Sequence, residues 1–307
     1  MGANKSIETI VSYLPMPLRS HMMQISAEVK ERINEVRVRA NRPVVLETKE
    51  RKYFLNKEGS VTSDINLGGV YVSDFVEIQN IVKALSRFSL HSCERELTQG
   101  YFTIENGIRV GIGGVYSESE TSRLKYINSL NFRISREVKG SADGLYKSLF
   151  SHSVPSVLVC GGVNSGKTTL LRDLCRLTGN EYKTALIDER NEISAVVNGK
   201  ATNDVGIHTD ILCGCSRETG IINAVRSLSP QIIICDEIGD ERDADAIVRA
   251  KGCGAEFIST IHIFDYEALN RRYISKKLLE HNVFDYAVIL EGEHSPGKVR
   301  EIRRLRQ

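Results

Sequence analysis

The chain has 307 residues, 41 lysines and arginines against 39 aspartates and glutamates, and 41% apolar residues. That length allows two domains with cores of their own, and the near-balance of charge argues against a dedicated nucleic-acid or membrane-surface protein. No run approaches the roughly 20 apolar residues of a membrane span, and the N-terminus carries no signal-peptide core.

From the start of the chain, apolar positions at Ile7, Ile10, Val11 and Leu14, then at Met22, Ile25, Val29 and Ile33, predict two helices split at Pro15–Pro17. Glu35 to Leu46 alternates with period two on each side of a turn at Asn41–Pro43, the pattern of a hairpin. Val72 to Phe88 has helical spacing, with Phe75, Ile78, Val82, Leu85 and Phe88 on one face. Tyr101 to Ile112 reads as a second hairpin turning at Asn106-Gly107, and Ile127 to Ser135 as a further strand. These pieces describe a small α+β domain over residues 1–140, closed by the Gly140-Ser-Ala-Asp-Gly144 segment, which runs into a linker over 141–152.

The pattern changes over residues 153–307. Short apolar strands (Val157–Cys160, Thr184–Asp188, Ile232–Asp236, Phe257–Ile261 and Phe284–Leu290) alternate with helical stretches. Such alternation predicts an α/β domain with a mostly parallel sheet covered on both faces. The last eight residues, with four arginines, fit the solvated face of a terminal strand.

The first of these strands runs into Gly161-x-x-x-x-Gly166-Lys167-Thr168, and Leu170, Leu171 and Leu174 follow at helical spacing. Strand, glycine-bounded loop and helix start are the context in which this signature is a phosphate-binding P-loop. The two glycines let consecutive N–H groups turn inward around phosphate oxygens, and the helix start adds the positive end of its dipole. On this reading Gly161, Gly162, Val163, Asn164, Ser165, Gly166, Lys167, Thr168 and Thr169 bind ATP, with Lys167 serving the β- and γ-phosphates and Thr168 a Mg2+ ion. A dinucleotide site is the nearest rival, but the glycines do not read G-x-G-x-x-G.

Three other strand ends carry polar groups. Ile232-Ile-Ile-Cys235 ends in Asp236 and Glu237; with the P-loop expected on a neighbouring strand, Asp236 would join the Mg2+ shell and Glu237 orient or deprotonate the attacking water. Ala185-Leu-Ile187 ends in Asp188-Glu189-Arg190, where the acid is either a phosphate-side group or a structural carboxylate paired with Arg190. Phe257 to Ile261 places Thr260 and His262 on one face by period two, so that both could look at the γ-phosphate.

The seven cysteines are scattered singly, and Cys160 and Cys235 fall in strands where cysteine acts as a small hydrophobe. An odd count without disulfide-like spacing fits a reducing cytoplasm. Cys213-Gly-Cys215 is a lone C-x-C, weak evidence for zinc.

Gly161–Thr169, Asp188-Glu-Arg-Asn-Glu192, Ser229-Pro-Gln231, Asp236-Glu-Ile-Gly239 and Thr260-Ile-His262 stand in the order found in the secretion-superfamily ATPases of type II and type IV secretion and type IV pili. Glu35-Val-Arg-Val-Arg-Ala-Asn-Arg-Pro43, Glu96-Leu-Thr-Gln-Gly-Tyr101, Ile108-Arg-Val-Gly-Ile-Gly-Gly114 and Phe132-Arg-Ile-Ser-Arg-Glu-Val-Lys-Gly140 resemble the stage III sporulation protein AA family. The resemblance implies a RecA-like ATPase domain over 153–307 and catalytic roles among Glu237, Glu189, Asp188 and His262, with Glu237 favoured as the base. It implies arginines of the N-terminal domain reaching the phosphates on closure, and Arg109 and Arg133 fall where those would be. It also implies a homo-hexamer in the mother-cell cytoplasm, held at the membrane by partner proteins of a sporulation channel. Two departures from the superfamily pattern bear on metals. No C-x-x-C pair stands here, so no zinc module is expected, and Asp236 stands where many relatives have glycine, which favours direct Mg2+ contact.

The expected function is therefore Mg2+-dependent ATP hydrolysis by an oligomeric motor. A nucleic-acid-stimulated RecA-like motor is the rival from another class, although the N-terminal stretch lacks aromatic–basic interleaving. An ATP-gated scaffold with little turnover is the third reading.

Overall fold

The computed structural model describes residues 2–66, 68–86, 94–117, 124–134 and 138–306. The chain divides into two compact units, Met1–Arg136 and Glu137–Gln307.

The first unit runs α1 (Gly2–Tyr13), α2 (Leu18–Gln24), α3 (Ala27–Arg32), β1 (Glu35–Arg39), β2 (Arg42–Pro43), β3 (Val45–Glu47), β4 (Lys52–Leu55), β5 (Val61–Thr62), β6 (Val72–Ser73), α4 (Phe75–Leu85), α5 (Glu94–Gln99), β7 (Tyr101–Ile104), β8 (Ile108–Tyr116) and β9 (Leu124–Arg133). Three helices stand where the spacing predicts two. The chain breaks at the prolines and again at Ser26, whose hydroxyl caps α3 by accepting from the Val29 N–H. Helix α4 begins at Phe75 rather than Val72 because Asp74 and Glu77 form a capping box there, while Val72 pairs with Pro43. Ile78, Ile81, Val82 and Leu85 face the core; Phe75 stays exposed, and Phe88 and Ser135 lie outside the described residues.

Both hairpins are present. β1 pairs β3 in antiparallel register, and β7 pairs β8 across a tight turn in which Asn106 and Gly107 take φ of 61° and 67°. The unit's sheet has the order β5-β4-β3-β1-β9-β8-β7, antiparallel throughout. Val36, Val38, Val110, Leu130 and Phe132 turn into the core with α1, α2 and α4. By alternation the other face carries a charged row, Arg109 opposite Arg133 and Arg133 opposite Glu35.

The second unit runs α6 (Asp143–Leu149), β10 (Val157–Cys160), α7 (Lys167–Glu181), β11 (Thr184–Asp188), β12 (Val196–Val197), β13 (Lys200–Ala201), β14 (Thr209–Cys213), α8 (Arg217–Ser227), β15 (Ile232–Cys235), α9 (Glu241–Lys251), β16 (Glu256–Ile261), α10 (Tyr266–Arg271), α11 (Tyr273–Glu280), β17 (Tyr286–Leu290) and β18 (Val299–Arg304). The stretch read as a linker holds α6, whose Leu145 and Leu149 bury against α7 and the sheet. Its sheet has the order β14-β11-β15-β16-β10-β17-β18, parallel except for β18 at one edge. Alternate residues of the central strands feed two cores. Leu158, Ile187 and Ile233 pack with α8, α9 and α11, and Val157, Leu186 and Ile234 with α6 and α7. Strands buried on both faces explain the unbroken apolar runs.

One expectation needs correction. The strand ending at Asp236 is not the neighbour of the P-loop strand, because β16 lies between β15 and β10. All three are parallel, so their carboxyl ends still open on one edge, and the end of β16 stands in the middle of it.

A close backbone approach ties α7 to the loop before β14. A Cβ on Gly179 would meet Thr209 Oγ1 at 2.0 Å and the Val205 carbonyl at 2.4 Å. Gly179→Ala should therefore destabilise by about 1–2 kcal/mol net, even though alanine favours a helix by roughly 1 kcal/mol. Thermal unfolding should show a midpoint lower by about 2–4 °C. An equal or higher midpoint would contradict this packing.

Candidate active site

The loop between β10 and α7 is built for an anion. Gly166 takes φ 90° and precedes α7 with no side-chain cap, which leaves the first amides of the helix for an outside partner. Asn164 also takes a positive φ, and buried Ser165 closes the loop by donating to the Gly162 carbonyl at 2.9 Å. Outer supports hold the loop. Gly297 donates to the Ser165 carbonyl at 2.8 Å, and the Phe264 ring lies where a Cβ on Gly162 would fall. Val163 is exposed, and Thr169 lies one turn along in a shallow cleft with Arg172, Asp173 and Arg176.

Lys167 Nζ donates to the Gly161 and Gly162 carbonyls at 2.9 and 2.7 Å, curled over the loop. Burial pushes its pKa below the usual lysine value, opposed by the Glu237 and Asp236 carboxylates and by Cys160.

At the same edge, Asp236 follows the last residue of β15. Its Oδ2 accepts from Thr168 Oγ1 at 3.4 Å, and its Oδ1 accepts from Thr260 Oγ1 at 2.8 Å and from the Glu237 N–H at 2.9 Å. Burial raises its pKa, and the Thr260 and Glu237 hydrogen bonds pull it back down. Mg2+ takes oxygen ligands near 2.1 Å, so adjacent ligands of its octahedron stand about 3 Å apart. Thr168 Oγ1 and Asp236 Oδ2 stand close to that spacing, so this pair fits a magnesium ion. Among the described residues no three His, Cys, Asp or Glu side chains form a metal cage.

Glu237 has φ 28°, a left-handed conformation uncommon for a residue with a side chain. Its N–H is bonded to both Asp236 Oδ1 and Thr260 Oγ1, which holds that conformation. The carboxylate is 42% exposed, with Arg190 Nη1 at 3.7 Å from Oε2. It lines a small cleft with Asp236, Asp188, Glu189, Arg190 and Arg217.

Several expectations are revised. Asp188 is not a base on this geometry. It is buried, and accepts from the N–H groups of Glu192, Ile193 and Ser194 at 2.9, 3.1 and 2.8 Å and from the Ser194 hydroxyl at 2.6 Å. It anchors the following loop, and the Arg190 expected beside it reaches toward Glu237 instead. Glu189 is ion-paired to Arg217 at 2.6 Å. Thr260 is fully buried and braces Asp236 rather than turning outward. His262 lies just past the end of β16, with its ring edge-on to Phe264 at 5.2 Å and its carbonyl held by Arg272 at 2.8 Å. In the first unit Arg109 lies 3.7 Å over the Tyr101 ring, and Arg133 is 3.4 Å from Glu35.

Arg217 escapes the sequence reading, since it belongs to none of the motifs, and so does the pairing of Arg190 with Glu237, which joins residues of two different motifs. The one local signal is Ser216, a helix-capping residue placing Arg217 at the first position of α8.

A family model for Sporulation stage III, protein AA matches residues 4–306. The chain belongs to this family. Stage III sporulation protein AA of Bacillus subtilis (strain 168) is 34% identical over 301 residues, which cover 95% of this chain and 94% of that protein. Among solved structures, the fold is similar to the Legionella pneumophila ATPase DotB, with a TM-score of 0.57 at 14% identity over 90% of this chain and 77% of that one. It is also similar to the pilus retraction motor PilT with bound ADP, with a TM-score of 0.57 at 13% identity over 85% and 75% of the two chains. At such identities the likeness is one of fold, a RecA-like P-loop domain with a mostly parallel sheet behind a smaller α+β region. This chain therefore shares its fold with an ATPase and with a pilus retraction motor.

If Asp188 is a loop anchor, Asp188→Ala should lower stability by about 2–4 kcal/mol in urea unfolding, because it strands three N–H groups. A loss below about 0.5 kcal/mol would show that the loop does not lean on it.

Proposed function

We propose that the protein is a Mg2+-dependent ATPase that works as an oligomeric secretion-type motor for a sporulation channel. The observation carrying this reading is the convergence of Thr168, Asp236 and Glu237 beside an uncapped P-loop helix. The loop amides from Gly161 to Thr169 would grip the phosphates, with Lys167 leaving its carbonyl partners for the β- and γ-phosphate oxygens. Thr168 and Asp236 would hold Mg2+, which supplies positive charge to those oxygens when bound. Glu237 takes the proton of the attacking water as the water oxygen bonds to the γ-phosphorus and the bond to the β-phosphate oxygen breaks; ADP and phosphate leave.

Glu189, ion-paired to Arg217, supports the site from the side. His262, its carbonyl bonded by Arg272 and its ring edge-on to Phe264, would follow movement of the P-loop through Phe264, which lies beside Gly162. Arg109 and Arg133 would add charge at the transition state when the first unit closes on nucleotide, coupling hydrolysis to motion. The reading includes assembly as a homo-hexamer, a place in the mother-cell cytoplasm, and attachment to membrane channel proteins; family membership and the fold shared with a pilus motor support it. No helix among the described residues is long and apolar enough to cross a membrane, so attachment through partners is the form proposed.

Turnover and nucleotide binding in the Lys167→Ala and Glu237→Gln variants test the reading. Lys167→Ala should bind no nucleotide, and Glu237→Gln should retain ATP while its turnover falls by about 100-fold or more. Equal turnover in the parent and Glu237→Gln would remove Glu237 from the chemistry. Tight binding with negligible turnover in the parent would make the protein an ATP-gated scaffold. Arginine removal gives a second check, since Arg109→Ala and Arg133→Ala should slow turnover by about 10-fold or more and leave the P-loop's affinity for ADP within roughly 3-fold.

A further inference from the structure

We infer that Arg217 is a positioning residue for hydrolysis, acting through Asp243 on the backbone turn that follows Glu237. The inference rests on the ATPase reading above. Arg217 opens α8, and its side chain is only 16% exposed. Its guanidinium joins two carboxylates from separate segments, with Nη1 at 2.6 Å from Glu189 Oε2 and Nε at 2.8 Å from Asp243 Oδ2.

Asp243 Oδ2 has other work. It accepts from the Gly239 N–H at 3.0 Å and from the Asp240 N–H at 3.4 Å, while the Asp243 N–H is capped by Asp240 at 3.0 Å. One buried oxygen therefore gathers the turn between Glu237 and α9. Arg217 is the cation paired with this buried carboxylate, and removing it would leave the carboxylate without its ion-pair partner. The guanidinium also lies close to the turn, for a Cβ added at Gly239 would meet Nη2 at 3.2 Å.

The consequence falls on Glu237. Its left-handed backbone is gripped on its own N–H by Asp236 and Thr260. On the other side the chain runs through Ile238 into the turn that Asp243 holds. Loss of Arg217 would loosen the turn beyond Ile238, whose N–H stays on the Thr260 carbonyl at 2.8 Å, and the Glu237 carboxylate would be less firmly aimed. A lysine would keep the charge but could not fork between two carboxylates. The same fork keeps Glu189 on Arg217 and away from the attacking water.

The test uses the full chain with Mg2+ and compares the parent with Arg217→Met and Arg217→Lys. It reads kcat, the Kd for a fluorescent ATP analogue, and amide hydrogen exchange at residues 238–240. Arg217→Met should lower kcat by about 30-fold or more with Kd within roughly 3-fold, and speed exchange at Gly239 and Asp240 by about 10-fold. Arg217→Lys should fold with a midpoint near the parent's and fall between the two in kcat and exchange. It carries the test alone if Arg217→Met does not fold. Unchanged kcat and exchange in Arg217→Lys and Arg217→Met would overturn the inference, as would loss of nucleotide affinity in step with kcat. If the parent itself shows no turnover, the ATPase reading fails, and exchange at Gly239 and Asp240 alone decides whether Arg217 holds the turn.

Discussion

The Thr260 hydroxyl is the hinge of the second unit. It donates to Asp236 and accepts from the Glu237 N–H, so a single buried oxygen sets both carboxylates at the sheet edge. Its position follows from strand order, because β16 runs between the P-loop strand and the strand that ends at Asp236. Without an intervening strand, Asp236 would emerge directly beside Gly161 with no hydroxyl to orient it. With β16 in place, a polar group stands between the P-loop and Glu237. The cost is backbone strain at Glu237, a penalty of order 1–3 kcal/mol for a non-glycine residue in the left-handed region. Strain of this kind persists only where the surroundings over-determine it. Here the two hydrogen bonds to the Glu237 N–H and the ordered turn after it do so.

Charge is handled differently in the two units. Around the P-loop, Arg217 is largely buried with Glu189 and Asp243, while Arg190 and Glu237 face each other in the open. On the sheet of the first unit, Glu35, Arg37, Arg133 and Glu47 form an open network across β1, β3 and β9 at the surface. Exposed pairs of that sort contribute little stability, typically below about 1 kcal/mol each. Such arginines are free to exchange partners at little cost, which suits the proposed role of Arg133 on an incoming polyphosphate.

The P-loop and the acidic end of β15 were legible because the chemistry confines them to contiguous residues. Eight adjacent positions from Gly161 to Thr168 carry a loop whose glycines and lysine have few substitutes. The hairpins were legible for a similar reason, their turns resting on Asn41 and Asn106, both at positive φ. Strand order was not, since it is decided by which helices cross which face, and no single residue announces it. Asp188 shows the limit on roles: a carboxylate at a strand end looks the same whether it faces phosphate or folds back on the amides of residues 192–194. The decision lay with Ser194 and the loop backbone. Arg217 was illegible because its partners lie 28 residues before and 26 after it, at Glu189 and Asp243. Likewise the helix within residues 143–149 hid behind two glycines nearby, although Leu145 and Leu149 carry its apolar face.

The account stands on Thr168 and Asp236 sharing one magnesium ion beneath a triphosphate. Calorimetric titration of a non-hydrolysable ATP analogue, with Mg2+ and then with a chelator, in the parent and in Asp236→Asn, measures this directly. Removing Mg2+ should weaken binding to the parent by about 10-fold or more and change binding to Asp236→Asn by less than roughly 3-fold. Affinity in the parent that ignores Mg2+, or an Asp236→Asn protein with the parent's full Mg2+ dependence, would contradict it.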